Sequence, residues 1–241
     1  MSYNPCMLIL AVDTSGPCGG AALLRDETVL AQCGGRSEEG YSSRIFRNVE
    51  EVLGVGRTRL AEVELFAVAA GPGSFTGLRV GLTAVKAWAE VWGRAIAPVD
   101  GLEAVAALAT EPGEFVAPVI DARRGQVYAA IYRRGAGREA GLERIAEDVV
   151  LSPSEFLDWI EQGGGKSPLI ATPSPEAMLA LVSAAGNKRS LRLESVPDAL
   201  AGMIGRLGWR KALRGETVDA LHLSANYIRR SDAELNWKEP A

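Results

Sequence analysis

Apolar residues fall along this chain in unbroken runs and in periodic ones, and the two kinds alternate. MLILAVDT (7–14) is unbroken and carries β-branched members, which predicts a strand buried on both faces. After the turn SGPCGG, the stretch AALLRDETVLAQ predicts two short strands joined near Asp26 and Glu27. SSRIFRNVEEVLGV sets Ile45, Phe46, Val49, Val52 and Leu53 at helical spacing, with Ser42 or Ser43 suited to the N-cap. VELFAVAAGPG predicts another buried strand, ending in a glycine loop. A helix then runs from about Phe75 to Trp92, with Ser74 at its N-cap and Gly93 at its end. RAIAPVD reads as a short strand and GLEAVAALAT as a helix.

The pattern then restarts. FVAPVIDARRGQVYAAIYRRG has an apolar run, an aspartate, a turn and an alternating strand, as LILAVDTSGPCGGAALLRD has. Asp13 and Asp121 hold the same place in the two units, at the end of the first strand. Helices and strands alternate after both. In the second half the candidates are SPSEFLDWIEQ, SPLIAT, SPEAMLALVSAAG and PDALAGMIGRLGWRKALRG. The expected fold is therefore a duplicated α/β protein of two lobes, 1–110 and 111–241, with a cleft between them and a polar tail from about residue 229. TEPGE marks a weak linker between the lobes.

Composition narrows what such a chain does. A net charge of −4 and a pI near 5.3, with no basic cluster, argue against holding nucleic acid unaided. Cys6, Cys18 and Cys33 are widely spaced and form no disulfide framework, which predicts reduced thiols in a cytoplasmic protein. With one histidine, His222, and no CxxC pair, a zinc site of Cys/His type is not expected. The apolar run at the N-terminus ends at Asp13, and no run approaches the ~20 residues that span a bilayer. No membrane role is expected.

GPGSFTGLRVGLTAVKAWAE (71–90) invites comparison with phosphate loops, and fails it twice. A P-loop needs a lysine beside its last glycine, and the nearest here is Lys86. The dinucleotide fingerprint needs its third glycine one position earlier than Gly77, counting from Gly71 and Gly73. What survives is a helix N-terminus, where N–H groups at Ser74, Phe75 and Thr76, with Arg79, make a weak candidate anion site. Gly77 and Gly81 share a helix face with Ala84 and Trp88. An interior glycine costs roughly 1 kcal/mol against alanine, so close approach of another backbone must offset it. That backbone belongs to the chain's own helix at 43–53 or to another subunit. No catalytic constellation is evident. His222 has no nucleophile elbow before it, and H-E-x-x-H does not occur. Asp13 and Asp121 could meet Mg²⁺ across a cleft, but strand-end aspartates are commonly turn formers. No catalytic residue, metal ligand or cofactor of the chain alone is assigned.

LAVDTSG, AVAAGPGSFTGLRVGLTAVKAWAE, PVDGLEAVA and VIDARRGQVYAAIY together resemble the bacterial TsaB (YeaZ) family. The similarity is strong over 7–133 and faint beyond, until SANYIR. These proteins are accessory subunits in forming threonylcarbamoyladenosine at position 37 of tRNA. The resemblance implies a duplicated actin/sugar-kinase/Hsp70-like fold with a degenerate second lobe. It implies a non-catalytic scaffold. The catalytic paralogue, TsaD, binds metal through an H-x-x-x-H helix, whereas YSSRIFRNVEEVL has no histidine and begins with Tyr41. Implied partners are a TsaD-type subunit, a TsaE-type ATPase, tRNA through the complex, and a second copy of the chain when TsaD is missing. ATP is implied only at a composite site. Gly77, Gly81, Ala84 and Trp88 become the candidate partner face. The competing reading is an ATP-using enzyme of the sugar-kinase type acting in its own cleft. Its only adenosine-loop candidate is EQGGGKS.

Overall fold

β1 (Leu8–Asp13) is buried along its whole length, and so is β4 (Leu65–Gly71) beside it. Such strands must be covered on both faces, and the fold is built around that need. In this computed structural model, residues 6–36, 40–135, 141–162, 168–186 and 190–228 are described. The first five-stranded sheet runs β3 (Thr28–Gly34), β2 (Gly20–Arg25), β1, β4, β5 (Ala95–Asp100). β1 to β3 form antiparallel hairpins, and β1, β4 and β5 are parallel. The helices α1 (Tyr41–Val55) and α2 (Phe75–Trp92) supply the crossovers.

The second five-stranded sheet repeats this order. It runs β8 (Leu142–Leu151), β7 (Gln126–Arg134), β6 (Phe115–Arg123), β9 (Leu169–Thr172), β10 (Leu193–Ser195), with antiparallel hairpins first and parallel strands after. Even the turns correspond. Asp13 Oδ1 accepts from the Ser15 N–H at 2.8 Å, and Asp121 Oδ1 accepts from the Arg123 N–H at 2.8 Å. The repeat expected from the two aspartates is thus present in strand order, pairing and turn. This is the two-lobed actin/sugar-kinase/Hsp70-like fold.

Each lobe covers its outer sheet face with its own helices. Leu10, Val12, Phe66 and Val68 meet α1 and α2. Ala117, Val119, Val127 and Ala129 meet α4 (Pro153–Gln162) and α5 (Pro175–Ala185). The inner faces are covered by exchange. α3 (Gly101–Leu108) leaves the first sheet and packs on β6 and β7, while α6 (Ala201–Leu213) leaves the second and packs on β1, β2 and β4. One continuous core results, from Ile9, Ala11 and Leu24 through Leu102, Ile204 and Leu207 to Val116 and Ala130. A chain division at 110/111 therefore separates the sheets but not the third helix of either unit.

α6 lies flat on the first sheet because glycines face it. A Cβ at Gly208 would stand 2.6 Å from that of Ala67, and one at Gly205 would stand 2.2 Å from Leu24 Cδ1. α1 begins one residue before the expected serine caps, with Gly40 in the cap position and no side-chain cap. α2 is capped as expected, with Ser74 accepting from the Gly77 N–H and Gly93 left-handed at its end. Gly208→Val is expected to force α6 off the sheet. Overpacking of this kind costs about 3 kcal/mol, so thermal melting should fall by roughly 6–12 °C.

Candidate functional site

The two aspartate turns face one another across an interlobe cleft of about 1070 Å³. Asp13, Ser15, Gly73, Ser74 and Arg79 line it from the first lobe, and Asp121, Arg123 and Glu176 from the second. Asp13 is 2% exposed. Its Oδ1 takes both the N–H and the hydroxyl of Ser15, the latter at 2.6 Å. Burial nevertheless raises its pKa above the usual carboxylate value, outweighing the Ser15 hydrogen bonds that lower it. The Arg123 Nη1–Asp121 pair, 3.5 Å apart, sits at the tip of the second hairpin. Arg36 and Glu176 close one side of the cleft from opposite lobes at 3.2 Å, both largely exposed, so the pair contributes little to stability.

Of the donors expected to form a weak anion site at the start of α2, one is engaged within the chain. The Ser74 N–H donates to the Ser15 carbonyl at 2.7 Å, and its hydroxyl is taken by the helix cap. Arg79 lies over the Phe75 ring, 3.9 Å from its centroid, with the Tyr227 ring tilted against Phe75, centroids 5.0 Å apart. Phe75, Thr76 and Arg79 do line the cleft. His222 is exposed, pairs with Asp219 at 2.7 Å, and is not among the cleft residues. Among the described residues no three of His, Cys, Asp and Glu gather as a metal site. The glycines of EQGGGKS and the tail from 229 lie outside the described residues.

The expected partner face divides in two. Gly77 and Gly81 do not point outward. A Cβ at Gly77 would stand 2.0 Å from the Thr14 carbonyl oxygen and 3.1 Å from the Tyr41 ring, and one at Gly81 would stand 2.3 Å from Thr14 Oγ1. The close approach that offsets these glycines comes from the chain's own first turn, where the Thr14 hydroxyl donates to the Gly77 carbonyl at 2.7 Å. From α1 only the Tyr41 ring comes near, at Gly77. Ala84 and Trp88 lie elsewhere on α2. They line an apolar groove of about 600 Å³ between α1 and α2, with Ile45, Phe46, Val80 and Ala87. Trp88 floors it, packed on Phe66 at 6.0 Å and edge-on to Phe46 at 6.2 Å. Phe46, at helical spacing with core residues, is 55% exposed here, and Val91 further along α2 is 71% exposed. Phe75, Thr76 and Arg79 border both groove and cleft.

A duplicated two-lobed α/β protein with paired aspartate turns and a bare apolar helix groove is the class that fold and site define. The family model matching residues 26–235 is described as TsaD: tRNA N6-adenosine threonylcarbamoyltransferase. The chain is 34% identical over 156 residues to "tRNA threonylcarbamoyladenosine biosynthesis protein TsaB" of Bacillus subtilis, covering 65% of this chain and 67% of that one. With the protein of the same name in Escherichia coli it shares 31% over 172 residues, covering 69% and 71%. The solved structure "YeaZ from Pseudomonas aeruginosa" superimposes with a TM-score of 0.73 at 24% identity, over 92% of this chain and 99% of that one. The chain belongs to the TsaB (YeaZ) family. No described helix is long and apolar enough to cross a membrane.

The state of Asp13 yields a test. Its folded pKa is raised, so its charge costs stability, and the cost grows as pH rises from the ordinary carboxylate value, about 3.9, through the raised one. Asp13→Asn keeps an acceptor for Ser15 and removes the cost. The variant should melt higher than the unaltered protein at pH 7, and the difference should vanish as the pH falls below 4. Equal melting temperatures at both values would contradict this account of Asp13.

Proposed function

We propose that this chain is a non-catalytic scaffold in the formation of threonylcarbamoyladenosine at position 37 of tRNA. Its α1/α2 face docks a TsaD-type catalytic subunit. The observation that carries the reading is the groove floored by Trp88. Phe46 and Val91 beside it are too exposed for a surface that water alone covers at no cost. The names of the relatives supply the pathway. α1, which in TsaD would carry a metal-binding histidine pair, has none, so threonylcarbamoyl transfer falls to the partner. A TsaE-type ATPase completes the assembly. ATP enters only at a composite site, tRNA is held only through the complex, and a second copy of the chain takes the groove when TsaD is absent.

Ala87→Arg tests the face. Ala87 is exposed on α2 and borders the groove, so the monomer should fold and melt as before. A charge buried unpaired in the interface costs several kcal/mol, and binding of the TsaD-type partner in size-exclusion chromatography should weaken more than about a hundredfold. Gly81→Arg serves as the contrast, since it strikes Thr14 within the chain and should lower the melting temperature. A stable Ala87→Arg protein that still forms the complex would exclude the groove.

The isolated chain should form no threonylcarbamoyladenosine on tRNA and should not hydrolyse ATP. It should bind tRNA more weakly than micromolar at about 150 mM salt, given its net charge of −4. Turnover of ATP by the chain alone would favour instead an enzyme acting in its own cleft.

A further inference from the structure

A polar cluster lies where the lobes meet, and one of its members, Asn226, also lines the interlobe cleft. Asp100 ends β5 in the first lobe. Its Oδ1 caps α3, accepting from the N–H groups of Leu102 and Glu103 at 2.7 and 3.2 Å. Its Oδ2 takes Arg144 Nη2 of β8, in the second lobe, at 2.6 Å. Arg144 also donates to the Tyr132 hydroxyl of β7 at 2.8 Å, and its Nη1 holds Asp148 Oδ1 at 2.5 Å. The Asp148 side chain is only 6% exposed. The last partner is Asn226, whose Nδ2 reaches Asp148 Oδ2 at 3.0 Å and Asp100 Oδ2 at 3.4 Å.

Asn226 belongs to the segment after α6, and its own backbone is fixed. Its N–H donates to the Ala70 carbonyl of β4 at 2.7 Å. Its carbonyl presses on Gly71, where a Cβ would stand 2.4 Å away and where φ is +123°. The Tyr227 ring packs at a tilt against Phe75. The segment is thus tied to the first lobe by its backbone and reaches a carboxylate of each lobe with one amide.

We propose that residues around Asn226 form a strap that sets the angle between the lobes, by bridging Asp100 of one lobe to Asp148 of the other. The charges around it make the strap sensitive to protons. Asp100, Glu103 of α3 and Asp148 face Arg144 and Lys211 of α6, the last 3.9 Å from Glu103; Glu216 lies 4.0 Å from Lys211 and pairs with Arg214, the residue after α6. Carboxylates outnumber the cations that face them. Burial, then the charge of Asp100, raises the pKa of Asp148, and burial foremost raises that of Glu103. Opening the lobes would hydrate both groups and return them toward ordinary values. The closed state therefore holds more protons, and falling pH favours it.

Cys18 provides a native probe. It lines the cleft and is 7% exposed. In a Cys6→Ser, Cys33→Ser background, its labelling rate by an aromatic disulfide reports opening. The ratio of variant to unaltered rate at one pH cancels the thiol's own titration. Asn226→Asp removes the bridging donor and adds a carboxylate. It should label faster at pH 8 by on the order of tenfold, the factor expected for one lost hydrogen bond to a charged group, and the ratio should shrink at pH 5.5. Spin labels at Glu90→Cys and Ser183→Cys, in a background without the native cysteines, should move apart at pH 8 in the same variant. Asp148→Asn removes the surplus charge and should flatten the pH dependence of labelling, which keeps the test intact if Asn226→Asp fails to fold. Unchanged rates and distances in Asn226→Asp, or an unaltered pH profile in Asp148→Asn, overturns the proposal.

Discussion

Thr14 occupies the space that two side chains would need. It sits on Gly77 and Gly81 of α2, and its hydroxyl bonds the Gly77 carbonyl in the helix's first turn. That contact fixes where α2 begins relative to β1. The Ser74 N–H can then reach the Ser15 carbonyl, and Gly73 can lie against Ser15, where a Cβ would stand 2.4 Å from its carbonyl oxygen. Loop and turn become one wall of the cleft. Past this contact, Val80, Ala84 and Ala87 of the same helix line the groove against α1. One helix thus supplies both a wall of the cleft and a wall of the apolar groove.

Much of the architecture was legible in the chain. Continuous burial of Leu8–Asp13 and Leu65–Gly71 follows from unbroken apolar runs, and the recurrence of Asp13 at Asp121 disclosed the repeat. β8 escaped notice because LERIAEDVVL mixes charges with apolar residues and is nowhere fully buried. The exchange of α3 and α6 was not legible either, since periodicity says that a helix is covered but not by which sheet. A sign was available in Gly202, Gly205 and Gly208, spaced three apart on one face of α6. A row of glycines marks where a helix lies close on something, though not on what.

At the site, the neighbour that the α2 glycines require is the chain's own Thr14. The glycines imply a close neighbour, and chemistry alone cannot distinguish the chain's own turn from a partner subunit. Phe46 carried a clearer signal than was drawn from it, because its neighbour Ile45 already satisfies the core stripe of α1. The network of Asp100, Arg144, Asp148 and Asn226 was invisible for another reason. Its members are separated by as many as 126 positions and converge only when both lobes are in place.

The exchange of third helices has a consequence during synthesis. The inner face of the first sheet, with Ile9, Ala11, Leu24 and Ala67, is complete once β5 has been made, yet α6 ends only at Leu213. At ~5–20 residues per second, that apolar face waits on the order of ten seconds for its cover. A nascent chain in that interval presents a sticky sheet to whatever is nearby. The first lobe cannot be finished before most of the second has been made, so the two mature together or not at all.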